Sequence, residues 1–340
     1  MMKKKALVFV ILIEVLLMSC SVLPFKKNLY LVCDEDGYGY IDQKGEVVIE
    51  PQFDEAGNFY EGYAAVRVGE KWGFIDTKGD YSINPQFESS DNYFYTRFSE
   101  GLAGVEEDGE IGYINSKGDF VIEPMYDIDY YGYIPAFSEG LVVIIDDGEY
   151  GFMNKKGDVV IDPKFDYAGD FSDGLAVIER NGKYGFIDKK GEVVIRPQFE
   201  YAGMFKEGLA VFEDDGEYGY INKKGEKVID AQFEDSWYFQ EGLAAVRVDD
   251  EWGYINTKGD FVIDPKFDFA GPFTEGLAYI EKNGKYGYID KKGETVIRAR
   301  YYGSYGFTNG LASFYDEDYN QGYINKDGDV IWEPTYCNVY

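Results

Sequence analysis

The stretch GLAVIERNGKYGFIDKKGEVVIRPQFEYAGMFKE, Gly174 to Glu207, decides the fold, because it holds three strand signals separated by two turns of recognisable chemistry. Leu175 to Glu179 is apolar and rich in β-formers. Asn181-Gly182 follows as a two-residue hairpin loop, a pair suited to two consecutive residues at positive φ. A second strand, Tyr184 to Asp188, runs into Lys189-Lys190-Gly191. The Asx side chain opens such a turn by bonding its own backbone, and the glycine takes the left-handed position of a type I turn with a bulge. A third strand, Glu192 to Arg196, is expected to stop at Pro197, which has no N–H to give a ladder. The remainder, Gln198 to Glu207, carries Phe199 and Phe205 and reads as a short fourth strand or a packed loop.

The same unit recurs along the chain. Glycines in register at Gly39, Gly73, Gly112, Gly151, Gly185, Gly219, Gly253, Gly287 and Gly322 lie 34, 39, 39, 34, 34, 34, 34 and 35 residues apart, which defines nine tandem units. The Asx-x-x-Gly turn occurs in all nine, from Asp42–Gly45 to Asn325–Gly328. No segment beyond the N-terminal leader has a sustained helical period, so residues 29–340 read as all-β: nine antiparallel repeats of about 34 residues in a single domain. One such unit cannot bury both faces of its sheet, so neighbours must stack into a β-propeller-like ring or an open β-solenoid or superhelix. Nine blades exceed the usual ~4 to 8. The ring is nevertheless favoured, because Leu29 to Cys33 opens the first unit and Trp332, Tyr336 and Tyr340 lie in the last, and apolar ends of an open array would be exposed. Cys33 and Cys337, in the first and last units, are a candidate disulfide that closure would bring together.

GKYGFIDKKGEVVIRP at Gly182–Pro197 and EWGYINTKG at Glu251–Gly259 resemble the bacterial WG repeat. The tryptophan of that motif survives at Trp72 and Trp252, while Tyr38, Tyr150, Tyr184, Tyr218 and Tyr286 replace it elsewhere and Ile111 and Gln321 depart further. The resemblance implies repeats carried in varied numbers on bacterial, often exported proteins, with a role in interaction rather than a known shared chemistry.

Composition removes several classes of function. The chain has no histidine, which excludes Ser-His-Asp and Cys-His catalysis and every metal site that uses imidazole. Its three cysteines are too few for an all-cysteine tetrahedral site. A net charge of −30 opposes phosphate backbones, so nucleic acid is not an expected partner. No cofactor is expected. Acidic runs such as Asp34-Glu35-Asp36 and Glu213-Asp214-Asp215 sit at hairpin positions and read as solvated tips, and Asp316, Asp318 and Asn320 only imitate a calcium loop, because Gly322 comes one place too late.

The first residues carry an address. Lys3, Lys4 and Lys5 precede an apolar run from Ala6 to Met18, interrupted by Glu14, that is too short to span a membrane and suits a signal peptide over residues 1–19. Leu17-Met18-Ser19-Cys20 resembles the bacterial lipobox, in which the cysteine is lipidated. Residues 20–28 then form a short tether, which places the protein in the cell envelope, on the outer face of the cytoplasmic membrane or in the outer membrane.

Binding candidates lie where the repeat is broken. Two consecutive units each carry five extra residues, with Tyr93, Phe94 and Tyr95 in one insertion and Tyr130, Tyr131 and Tyr133 in the other. Equivalent loops of adjacent repeats project on one side, and aromatic loops on a rigid scaffold suit recognition. Trp237 stands where Gly57, Gly169, Gly203 and Gly271 stand in other units, and Tyr238 follows it. These features point first to a non-catalytic, lipid-anchored scaffold for an envelope protein. A glycan- or peptidoglycan-binding module comes second and a propeller-type hydrolase third; no catalytic residue is assigned.

Overall fold

The computed structural model describes residues 28–88, 96–127 and 134–336, and over them the chain is all β-strand and turn. Nine antiparallel sheets form in chain order and close as the blades of a β-propeller. Blade one spans Tyr30–Phe53, and those that follow span Glu55–Phe87, Ala103–Asp127, Leu141–Phe165, Tyr167–Phe199, Tyr201–Phe233, Asp235–Phe267, Phe269–Tyr301 and Gly303–Thr335.

Blade five shows the local rules. Its strands Tyr167–Ala168, Leu175–Arg180, Lys183–Asp188 and Val193–Phe199 lie side by side in that order. Asn181 and Gly182 have φ of 53° and 71°, the left-handed pair of a type I′ hairpin. At the next turn the Asp188 carboxylate accepts from the amides of Lys190 and Glu192, both at 2.9 Å, and Gly191 has φ 78°. The remainder, Gln198 to Glu207, supplies the two-residue strand Tyr201–Ala202 of blade six and leads to a second left-handed pair, Glu207 and Gly208 at 52° and 82°.

The third strand does not stop at Pro197. It runs on to Phe199 through a bulge, since Phe186 pairs with Ile195 and Tyr184 with Phe199, leaving Arg196, Pro197 and Gln198 out of register. The proline sits where the ladder is already broken, so its missing N–H costs nothing there.

Blades are held face to face. In the strand Leu175–Arg180, Leu175 and Val177 pack toward blade six while Ala176 and Ile178 pack toward blade four, so both faces of the sheet are buried. That is why the strand reads as a continuous apolar run rather than an alternating one. From blade four to blade seven each interface contains a buried ring pair of the same kind: Phe152 with Phe171, Phe186 with Phe205 and Tyr220 with Phe239, at centroid separations of 4.8, 4.7 and 4.7 Å.

Closure brings blade one onto blade nine. From blade two onward the turn glycine lies against an isoleucine side chain of the preceding blade, as Gly191 does on Ile161 and Gly225 on Ile195, whereas Gly45 of blade one lies against the Ile331 backbone carbonyl of blade nine. Tyr30, Val32 and Ile41 share a buried cluster with Leu311 and Tyr323. The Tyr323 hydroxyl donates to the Leu31 carbonyl at 2.8 Å, and the Thr335 hydroxyl to that of Cys33 at 2.5 Å. These contacts rule out the open superhelix. Cys33 is disulfide-bonded, while Cys337, like Cys20, lies outside the described residues.

Candidate binding groove

The short strands form one edge of their blades, and at the position that follows them the wall changes character around the ring. The position after the short strand and its cross-strand neighbour are matched in size: Trp237 bonds to Ala245, Gly271 to Tyr279 and Tyr305 to Ser313. A Cβ on Gly271 would fall 2.2 Å from the Tyr279 ring, so in blades seven to nine one large residue fills the layer. Blades five and six have Gly169 with Val177 and Gly203 with Val211 instead. No ring fills the layer there, and a groove opens across blades four to seven, in two connected hollows of about 500 and 320 Å³ that share Tyr201, Gly203 and Met204.

Tyrosines line its length. Tyr150, Tyr167, Tyr184, Tyr201 and Tyr218 follow one another at centroid separations of 5.5, 6.4, 5.6 and 6.5 Å, alternating between the motif position of one blade and the short strand of the next. Tyr167 and Tyr201 are 40% and 43% exposed, enough to offer ring faces to a ligand. Burial, with a hydrogen bond to Glu179, pushes the Tyr184 hydroxyl up to about 12, so it remains a neutral donor. Asp170 also lines the groove. Burial raises its carboxyl above the usual range, and the Arg97 guanidinium pulls in the other direction.

At the blade-seven end stand Trp237 and Tyr238, the two sequence candidates that fall among the described residues. Trp237 meets the Phe269 ring at 6.3 Å and its carbonyl accepts from the Tyr220 hydroxyl at 2.8 Å. Lys206 seats its ammonium 4.0 Å above the Tyr238 ring and donates to Gln240 at 3.0 Å. Tyr93, Phe94, Tyr95, Tyr130, Tyr131 and Tyr133 lie outside the described residues. Sequence reasoning passed over Tyr167, Tyr184, Tyr201 and Asp170. The signal was present in Tyr-Ala-Gly, which occurs in adjacent units at Tyr167–Gly169 and Tyr201–Gly203. Among the described residues no group of three or more Cys, Asp or Glu is placed to hold a metal, and the Asp316 carboxylate is occupied by the amides of Asp318 and Asn320 at 2.9 Å each.

Fold and groove together define a nine-bladed propeller with a tyrosine-lined cleft across blades four to seven. The WG containing repeat matches at residues 38–72, 72–110, 111–149, 150–184, 184–218, 218–252, 252–286 and 286–318, and the chain belongs to that family. Each match begins at the motif position of one blade and extends into the next, so eight matches accompany nine sheets. No curated protein is significantly similar in sequence. Among solved structures, a eukaryotic initiation factor superposes with a TM-score of 0.63 at 11% identity, covering 89% of this chain and 95% of that one. BamB from Moraxella catarrhalis gives 0.45 at 11% identity, covering 88% and 94%. At such identities the likeness concerns the fold alone.

Proposed function

We propose that this protein is a non-catalytic binding scaffold of the bacterial cell envelope, tethered by lipid at Cys20, that holds a partner protein against the tyrosine groove of blades four to seven. The observation that carries the reading is the groove itself. Exposed aromatic rings with polar tips stand on strands fixed by packing on both faces, and such rings recur at protein-binding hot spots. The test is crosslinking in intact cells followed by pull-down with the full chain and with Tyr201→Ala and Trp237→Ala. The same partner should be recovered by the parent and lost with the variants, while the melting temperature of Tyr201→Ala stays near that of the parent. Recovery that ignores both substitutions would refute the groove as the docking site. Anchoring is tested separately. Cys20→Ser should abolish fatty-acid labelling and move the protein out of the membrane fraction, and undiminished labelling of the variant would refute the tether.

A further inference from the structure

The chemistry of the groove selects among ligands. Of the residues that line its two hollows, the charged ones are Asp170 and Asp235; neither lysine nor arginine is among them, and the guanidinium that acts on Asp170, that of Arg97, stands outside the lining. Glu179 and Glu213 stand beside the rings, each cross-strand from a groove tyrosine, Tyr184 and Tyr218. The formal charge of the whole chain is −30, which adds a long-range field of the same sign. A ring face is the negative side of its quadrupole and attracts a cation, with more effect where water is displaced. Tyrosine rings beside half-buried carboxylates therefore make a site for positive charge.

The protein already uses this geometry on itself. Lys206 sits over the Tyr238 ring at the blade-seven end, and Arg97 over Tyr60 at 5.2 Å. Further along the groove, Tyr184 and Tyr201 present the same kind of ring, and no lysine or arginine among the described residues lies over either of them. Met204, 47% exposed, supplies an adaptable apolar contact beside them, suited to the methylene stem of a basic side chain.

We infer that the groove binds a basic segment of a partner protein, with an arginine or lysine side chain seated against Tyr184 and Tyr201 and its charge directed to the Asp170 carboxylate. This rests on the groove being the docking site and goes further by naming the chemistry of the occupant. A neutral glycan would use the same rings but would gain nothing from the carboxylates.

The experiment is calorimetric titration of the purified full chain with a short Gly/Ser peptide carrying arginines, with the same peptide in which glutamine replaces arginine, and with a chitin oligosaccharide. The arginine peptide should bind and the other two should not. Tyr201→Ala and Asp170→Asn should each weaken that binding roughly fivefold or more. Asp327→Asn, which removes one exposed charge from a turn of blade nine, should leave it unchanged. Each of three results would overturn the inference: equal loss in Asp327→Asn, which marks diffuse attraction to an acidic protein; full binding by Tyr201→Ala; or uptake of the oligosaccharide in place of the peptide. A pull-down that depends on the groove, alongside a silent arginine peptide, would remove this inference and leave the scaffold reading standing.

Discussion

At Gly185 the missing side chain is what allows the third strand of blade five to bulge across the second. A Cβ there would lie 2.5 Å from the Pro197 nitrogen and 2.6 Å from the Ile195 carbonyl oxygen, and Gly73, Gly151 and Gly253 are held in the same way. The motif glycine and the motif proline are therefore two sides of one contact, which their fixed spacing announced without explaining. Gly185→Ala should cost about 1–3 kcal/mol, as overpacking does, and a urea midpoint equal to that of the parent would refute this account. The exchange of tryptophan for tyrosine has its own local logic. Tyr184, Tyr218 and Tyr286 face Glu179, Glu213 and Glu281 across the hairpin, and each glutamate adds to burial in raising the hydroxyl's pKa. Trp72 and Trp252 face Arg67 and Arg247 instead, which pair with Glu55 and Glu234 at 2.6 and 3.1 Å. The groove was harder to read than these pairs. Its volume comes from Gly169 and Gly203, and a glycine in a repeat looks like a turn residue until the neighbouring wall is known to be filled by Trp237, Tyr279 and Tyr305.

Strands and turns were legible because their signals are local. Asn181-Gly182 and the Asp188 turn appear where the sequence puts them, and the ends of Leu175–Arg180 differ from expectation by a single residue. The run past Pro197 was misread, because a proline signals a broken ladder but not whether the strand ends or bulges. What joins one blade to the next was not readable at all, since it links turns 35 to 55 residues apart. The Glu241 carboxylate accepts from the Gly276 amide at 3.1 Å and pairs with Lys291 at 3.0 Å; Glu100 does the same with Gly140 at 3.0 Å and Lys155 at 2.9 Å. Partial burial acts to raise both carboxyls, but the bonds from lysine and backbone amides outweigh it and set them below the ordinary 4.5. A depressed carboxyl stabilises the fold above its unfolded value and loses that contribution as pH falls through its folded value. Stability should therefore decline from about pH 4.5 downward, each exposed pair accounting for about 0.2–1 kcal/mol. Thermal melts of the parent and Glu241→Gln across that range should converge as pH falls, and a constant gap down to acid pH would remove Glu241 from the effect.

The whole molecule depends on the ends meeting. Sequence pattern set the number of units and the apolar character of the terminal ones, which was enough to favour a ring. It could not supply the angle between blades, which is set by packing of the kind that places Phe205 on Phe186 and Phe239 on Tyr220. Around the ring, lysines tie one blade to the previous one: Lys155 to Glu100, Lys189 to Glu139, Lys223 to Asp173, Lys291 to Glu241 and Lys326 to Glu275. Where blade nine meets blade one, Gln43 takes the lysine's place and donates to the Asn309 carbonyl at 3.1 Å. In about 1 M salt, where charges are screened beyond about 3 Å, the charged links should loosen while this one does not. Hydrogen exchange at the Gly174 and Gly276 amides should quicken with salt, and exchange at Leu31 should hold steady; faster exchange at Leu31 alone would contradict this. In the statistical description of repeat chains, an open array frays from two free ends, whereas a ring has a periodic boundary and no end to fray from. The neutral Gln43 contact makes that boundary condition independent of ionic strength, so that salt softens the links within the cycle without turning it back into a line.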